Sequence, residues 1–268
     1  MMRADVLVRT LKDQKRALLW WSLGVVLMVA MTVLFYPSVR DSQASLNDAI
    51  DQMPKSVRAM FIGEGVDMAS PTGYLDSQFF SLMAPLLFII YAIGYGARAL
   101  AGEEESGTLD MLLANPVSRR RIVVEKGFGL PVALMFLAIV FVASILICGM
   151  AVGMSVDVGA LSSATLSSLL MGLVFGAGAM AVGAARGRRG ASIGAAAAVV
   201  ALMYFINSLA LVSSIVKPFR FVSFFFYYGG VSPMSHGFDA GDTLVLVASA
   251  AVCFVATLMF FERRDLRA

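Results

Sequence analysis

Six long apolar stretches, separated by shorter polar connections, dominate the pattern of this 268-residue chain. They lie at residues 17–36, 78–97, 128–153, 164–185, 191–215 and 243–261. A helix needs about 20 apolar residues to cross the roughly 30 Å hydrocarbon core of a bilayer, because each residue adds about 1.5 Å. The pattern therefore predicts six transmembrane helices.

A charged segment at residues 1–16 precedes the first stretch, and its bases stand between apolar residues such as Leu7 and Leu11. This pattern predicts an amphipathic helix on the membrane surface. A secretory signal peptide is the alternative, but its apolar core spans only about 7–15 residues and ends at small residues. The stretch here is longer and ends at Tyr36 and Pro37, so we predict an uncleaved first span.

The longest polar segment, residues 37–77, lies between the first two stretches. Its apolar residues recur at helical spacing on both sides of Met53 and Pro54, which predicts two short amphipathic helices that meet there. We interpret the segment as an extracellular lid on the outer leaflet, with a substrate-selecting gate as the alternative.

Composition agrees with a membrane class, since 59% of residues are hydrophobic and only 15% are charged. Soluble domains carry roughly 25% charged residues. The predicted fold class is therefore an all-α integral membrane protein. Cys148 and Cys253 both lie in apolar stretches, which makes a disulfide framework a poor interpretation. His236 is the single histidine, so no histidine-based metal cluster is expected.

Lysine and arginine are concentrated in four places: the N-terminus, residues 98–126, the turn at residues 186–190 and the C-terminal tail. Six spans place all four on one side, which the positive-inside rule makes cytoplasmic. We therefore predict a multi-pass plasma-membrane protein with both termini in the cytoplasm. The net charge of +3 fits this sidedness better than a nucleic-acid footprint, and the preference for arginine, alanine and glycine suggests a prokaryotic source.

The predicted spans contain no ionisable residue well inside them, and Asn207 is their main amide. Buried charges are costly in membranes and mark coupling or catalytic sites, so ion-coupled carriers and intramembrane proteases are disfavoured. Residues 102–108 imitate the glycine spacing of a phosphate loop, but they lack its lysine and carry three carboxylates. We expect no cofactor in this chain, so if it moves a substrate uphill, the energy must come from another protein.

Three pairs of glycines are spaced four residues apart, at residues 149 and 153, 172 and 176, and 190 and 194. This spacing is typical of small-residue faces at which membrane helices pack closely.

Residues 98–126, which we call the elbow, form the densest charged region between two apolar stretches. The pattern predicts a helix over 99–114 that Asn115 and Pro116 end, and Ser118 is placed to cap the next helix. The elbow is either a docking site for a cytoplasmic partner or a solvated loop whose arginines meet lipid headgroups. Its acidic residues are Glu103, Glu104, Glu105 and Asp110, and its apolar residues are Leu109, Leu112 and Leu113.

The run Glu104–Arg119, EESGTLDMLLANPVSR, resembles a motif of the permease subunits of type-2 ATP-binding-cassette exporters. The family pattern is EE-x-x-GTL-(E/D)-x-LL-x-x-P-(V/I)-SR. Lys126 matches a lysine that often follows it, and residues 261–266 resemble the family ending. With six predicted spans, the resemblance covers essentially the whole chain.

The resemblance implies that two permease chains pair, and that cytoplasmic ATPase subunits, which hold ATP and Mg, dock on the elbow. It assigns Glu104, Glu105, Gly107, Thr108 and Leu109 to coupling with the ATPase, and it puts Pro116 and Arg119 at the bend. We therefore expect a permease subunit of an ATP-driven transporter without catalytic residues. The nearly uncharged spans favour export of a hydrophobic or amphipathic small molecule or a lipid.

Two other functions stay open. A membrane scaffold or sensor would recruit a cytoplasmic partner without moving a substrate. An integral membrane enzyme that modifies lipids would need a polar cluster at one interface, and the chain offers one candidate group: Tyr227, Tyr228, Ser235, His236, Asp239 and Asp242.

Overall fold

The computed structural model describes residues 5–42, 70–108, 118–212, 214–229 and 233–263, with side chains from residue 14 onward. These residues form helices and turns with no β-strand among them, so the all-α prediction is confirmed. The two amphipathic helices predicted around Met53 and Pro54 lie outside the described residues.

Within the described residues, six helices are long and apolar enough to cross a membrane, as predicted. The first two of these spans are Gln14–Asp41 and Pro71–Glu105. The main α-helices of the six spans are α1 (Asp5–Leu34), α2 (Met83–Ala97), α3 (Arg119–Ala151), α4 (Val158–Arg186), α5 (Arg189–Val212) and α6 (Ala240–Arg263). Shorter helices connect them at Tyr36–Asp41, Lys217–Val222, Phe224–Tyr227 and Pro233–His236.

Helix α2 is the middle of a longer apolar unit, Pro71–Glu105. A short helix (Pro71–Leu75) and a π-helical turn (Asp76–Phe80) precede it. A second π-helical turn (Arg98–Gly102) and a last α-helical turn (Glu103–Glu105) follow it. Wide turns of this kind often occur at functional sites, and here one lies at each end of α2.

The N-terminal segment differs from the prediction of a surface helix at 1–16 followed by a span at 17–36. Residues Asp5–Leu34 form one continuous helix, and a turn at Phe35 precedes the short helix Tyr36–Asp41. The segment has no proline, and Gly24 is its one glycine, so no residue in it forces a break between the charged and apolar parts.

Helix α4 is the centre of the bundle and packs mainly against α2 and α6. A Cβ atom added at Gly172 would lie 3.0 Å from the backbone of Phe88, and one at Gly176 would lie 2.8 Å from the Cβ atom of Ala92. This close approach confirms the small-residue face predicted at residues 172 and 176. By contrast, a Cβ atom at Gly194 would meet open space.

The outer helices of the bundle keep large apolar side chains on their surfaces. Trp20 and Met31 of α1, Phe205 of α5 and Val252 of α6 are all exposed. Exposed apolar surface on this scale suits lipid rather than water. The charged ends of the bundle therefore mark the two edges of the membrane.

The two ends of the bundle are defined by contacts between helices. At one end, Gln14 of α1 lies near Arg98, Lys126 and Arg189, and we call this the elbow end. At the other, the Tyr74 hydroxyl donates to the carbonyl oxygen of Thr32 in α1, and we call this the far end.

Candidate coupling site at the elbow

Ser118 caps the start of α3, as the sequence predicts. Its backbone is extended (φ −67°, ψ 144°), and its hydroxyl oxygen accepts a hydrogen bond from the Arg121 N–H at 3.3 Å. The cap satisfies one of the first N–H groups of the helix, which lack partners within the helix. Arg119 is the first residue of α3 and lies partly exposed beside the cap.

The helix that enters the elbow is interrupted within the range of residues 99–114 predicted to be helical. Its turn Glu103–Glu105 is followed by non-helical residues at 106 and 107, and residues 109–114 lie outside the described part of the chain. Gly107 follows with φ +69°, a conformation that glycine adopts without strain and that commonly ends helices. The hydroxyls of Ser106 and Thr108 both donate to the carbonyl oxygen of Glu103, so the helix end is satisfied locally.

Five residues assigned to the elbow from sequence lie outside the described part of the chain: Leu109, Asp110, Leu112, Leu113 and Pro116. The structure places the other assigned residues at the end of α2, in the following turn or at the start of α3.

Lys126 is the residue that joins the two arms of the elbow. Its side chain is 1% exposed, and its ammonium group forms an ion pair with Glu103 and donates to the Ala99 carbonyl oxygen at 3.0 Å. The Tyr95 hydroxyl in turn donates to the backbone oxygen of Lys126 at 2.8 Å. The start of α3 is therefore locked to the end of α2. The sequence signal for Lys126 was only its match to the motif.

Glu105 connects the elbow to a third helix. Its carboxylate accepts a hydrogen bond from the backbone N–H of Arg189, the first residue of α5, at 2.9 Å. The N-terminus of a helix carries partial positive charge and suits a carboxylate. Glu104 lies partly exposed between Glu103 and Glu105. The acidic turn thus contacts both α3 and α5.

Three consecutive carboxylates at this position are electrostatically unfavourable for their own helix. The C-terminus of a helix carries partial negative charge and favours bases, by about 0.3–1 kcal/mol for each charge. The ammonium group of Lys126 offsets the negative charge of Glu103, and the N-terminus of α5 offsets that of Glu105. Acids kept at the less stable end of a helix point to a role outside helix stability.

An open cavity of about 470 Å³, which we call the elbow cleft, lies among these elements. Its walls come from α1, the end of the α2 unit, α3 and α5. It is lined by Gln14, Arg98, Ala99, Gly102, Glu103, Glu105, Ser106, Lys126 and Arg189.

Asp76 at the far end is a polar residue whose burial the sequence did not predict. We placed it in the segment 37–77, outside the predicted second span. The structure buries it completely in the apolar unit Pro71–Glu105. Its carboxylate accepts from the Met234 N–H at 3.0 Å and from the Ser235 hydroxyl at 3.1 Å. These partners lie more than 150 residues away, so local sequence carried no signal for the burial.

Tyr228 makes a second connection at the far end. Its hydroxyl donates to the carbonyl oxygen of Phe80 at 2.8 Å and lies 3.0 Å from the hydroxyl of Ser168. Burial raises the pKa of Tyr228 well above its usual value, so the hydroxyl keeps its proton as a donor. The Phe80 carbonyl belongs to a π-helical turn, where an additional partner compensates for the irregular backbone.

The candidate lipid-modifying group does not converge on one point. The Tyr228 hydroxyl donates to the Phe80 carbonyl oxygen, and the Ser235 hydroxyl donates to the Asp76 carboxylate. The Tyr227 hydroxyl donates elsewhere, to the Phe221 carbonyl oxygen. The Asp239 carboxylate accepts from the Asp242 N–H at the start of α6. The side chain of His236 lies outside the described part of the structure. The described members are thus spread over four separate interactions.

Comparison with known families places this geometry in context. The profile of the ABC-2 family transporter proteins matches residues 8–266, which is nearly the whole chain. A search of curated proteins found no significant match. The matched region includes all six apolar helices, apart from the first residues of α1, and the complete elbow. The chain is a multi-pass membrane protein that belongs to the ABC-2 family of transporters, as a permease subunit.

Proposed function

We propose that this permease exports a hydrophobic or amphipathic molecule and is driven by a separate ATPase subunit that docks on the elbow. The observation that carries the proposal is the lock between Lys126 and Glu103, because it ties an exposed acidic turn directly to two membrane helices. Force applied to the turn Glu103–Glu105 from outside the membrane would reach both α2 and α3 through this ion pair. In this proposal ATP and Mg are bound by the partner, and this chain contributes no catalytic residue.

The distribution of charge supports an elbow end that faces the cytoplasm. The described residues at the elbow end include many bases: Lys15, Arg16, Arg98, Arg119, Arg120, Arg121, Lys126, Arg186, Arg188, Arg189 and Arg263. The far end has Arg40, Lys217 and Arg220, together with five aspartates, Asp41, Asp76, Asp157, Asp239 and Asp242. This asymmetry follows the positive-inside rule and supports a topology with both termini in the cytoplasm. Outward movement of cargo would then run from the elbow end to the far end.

The nature of the cargo is supported by an apolar cavity of about 230 Å³ among α3, α4 and α6. Its walls include Phe128, Leu173, Met180 and Phe254, and no charged side chain lines it. A charged solute would lose its hydration in such surroundings without compensation. A lipid-like or amphipathic molecule could place its apolar part in the cavity without this loss of hydration.

Pairing with a second permease chain completes the proposed transporter. Family membership implies association with an ATPase and often dimerisation. The exposed apolar faces of α1 and α5 are surfaces on which a second bundle could pack within the membrane. The plasma membrane is the proposed location.

The test is purification of the tagged chain in mild detergent from the cells that naturally make it, followed by measurement of ATP hydrolysis in the eluate. The informative variant is Glu104→Lys with Glu105→Gln. A glutamine amide oxygen still accepts from the Arg189 N–H, so the contact with α5 is retained while the acidic surface is lost. We expect ATPase activity to co-purify with the wild-type chain and to fall at least about tenfold in the variant.

Asp41→Lys is the matched control. It reverses the charge of an exposed acid at the far end and should leave the co-purified activity unchanged. In inside-out vesicles, ATP should drive uptake of a lipophilic fluorescent probe by the wild-type chain. ATPase binding without uptake would favour the scaffold function, and equal activity in both variants would contradict docking on the elbow.

A further inference from the structure

The elbow cleft contains more positive charge than its own acids engage. Lys126 is held by Glu103 and by the Ala99 carbonyl oxygen. The Glu105 carboxylate binds the backbone N–H of Arg189 rather than its guanidinium group. Within the described part of the chain, neither the Arg98 nor the Arg189 guanidinium has a hydrogen-bond or ion-pair partner.

Arg189 gives the clearest sign that a ligand belongs in the cleft. Its Nε atom is buried, and no hydrogen-bond acceptor among the described residues reaches it. Buried side-chain donors in native proteins almost always have a partner, and a guanidinium group forms its strongest hydrogen bonds with carboxylates and phosphates. Arg189 also begins α5, whose first N–H groups add to the attraction for an anion.

The cleft lies where a lipid headgroup could reach it. It is at the end of the membrane helices, and Gln14 of α1 and Arg189 of α5 form two of its walls. The cleft is open at this end of the bundle, at the level where helix ends meet phospholipid phosphates.

We propose that the elbow cleft is a binding site for a phosphate group, with Arg98 and Arg189 as its ligands. The phosphate comes either from an anionic phospholipid whose headgroup reaches the open cleft or from a soluble phosphate in the cytoplasm. Glu103 and Glu105 do not prevent binding, because Lys126 neutralises the first and the N-terminus of α5 holds the second. A bound phosphate would bridge the end of the α2 unit to α5 beside the elbow.

The test uses the purified full-length chain and needs no ATPase partner, so its result is independent of the proposed function. One arm places the protein in nanodiscs of phosphatidylcholine with phosphatidylglycerol and counts retained lipids by native mass spectrometry. The other arm measures thermal unfolding in detergent with inorganic phosphate or with sodium chloride at equal ionic strength. Arg98→Gln and Arg189→Gln should each weaken phosphatidylglycerol or phosphate binding about tenfold.

The matched controls are Arg188→Gln and Arg120→Gln, which remove one charge each from exposed positions at the elbow end but outside the cleft. They should bind like the wild-type chain. Arg189→Lys keeps the charge but loses the fork of donors, so it should give an intermediate affinity if the protein folds normally. Phosphatidylglycerol retention alone would identify a lipid, and stabilisation by inorganic phosphate alone would identify a soluble ligand. Equal binding by cleft and control variants in both arms, or no binding by the wild-type chain, would overturn the proposal.

Discussion

The ammonium group of Lys126 pairs with the carboxylate of Glu103, although these residues belong to different arms of the elbow. The lysine is 1% exposed, whereas the side chain of the glutamate is 29% exposed. Only one partner of the ion pair can therefore recover water when the other is removed. This asymmetry makes the pair testable, because the two single variants should not be equivalent.

We expect Glu103→Gln to destabilise the protein more than Lys126→Met. The first change leaves a buried ammonium without its counter-charge, while the second leaves a carboxylate that can reach solvent. The cost of Glu103→Gln should be about 2 kcal/mol, below that of breaking a fully buried pair, because the site is partly open. Thermal unfolding in detergent measures the stability of each variant. The double variant should lose less stability than the sum of the two single losses. Equal losses in the two single variants would contradict this account.

The contact between α2 and α4 predicts a sharp difference between two glycines of the same helix. In Gly176→Ala the added methyl would lie 2.8 Å from Ala92 and 2.9 Å from Leu130, so the helices must separate. We expect a loss of about 1–3 kcal/mol, which is typical of overpacking. Gly178→Ala adds the same methyl group to open space and should be neutral or stabilising. Unfolding temperatures of the two variants test the difference, and similar values would rule out close packing at Gly176.

Removal of the Asp76 carboxylate should release the helix Pro233–His236 from the bundle. In Asp76→Ala the buried Met234 N–H loses its acceptor, whereas Asp76→Asn keeps an acceptor oxygen. The measurement is maleimide labelling of Met234→Cys in a chain whose Cys148 and Cys253 are replaced by alanine. Labelling should be several-fold faster with Asp76→Ala than with Asp76→Asn. Unchanged labelling in the alanine variant would show that the contact does not hold the helix.

The proposed orientation predicts opposite accessibility for two exposed positions. Asp41→Cys at the far end should react with a membrane-impermeant maleimide on intact cells. Arg188→Cys at the elbow end should react only after the membrane is opened. Both variants use the same chain without its natural cysteines, so each position is the control for the other. The reverse pattern would place the elbow outside the cytoplasm.

Features set by a few neighbouring residues could be predicted from sequence. Ser118 caps the start of α3 because a serine before a helical run can satisfy the first free N–H groups. Charge-free stretches of about 20 residues could form only membrane helices in a chain of this composition. Gly172 and Gly176 packed as expected because their spacing puts both on one face of α4.

Features that depend on distant contacts could not be predicted in this way. Asp76 is buried because Met234 and Ser235 supply its hydrogen bonds, and no local pattern links these positions. The role of Lys126 depends on the position of Glu103 across the elbow. The interruption of the elbow helix at Gly107 is different, since this glycine was visible in the sequence. We gave the helix-forming residues on both sides of it more weight than the glycine.

The glycine contact also determines how movement can pass through the protein. Because backbone meets backbone at Gly172 and Gly176, α2 and α4 cannot slide along each other unless they first come apart. The two helices are therefore expected to move together as one rigid unit, with Glu103 near its elbow end. We expect a force at the elbow to tilt α2 and α4 together, and any bending to fall on α1 and α5, which are less buried within the bundle.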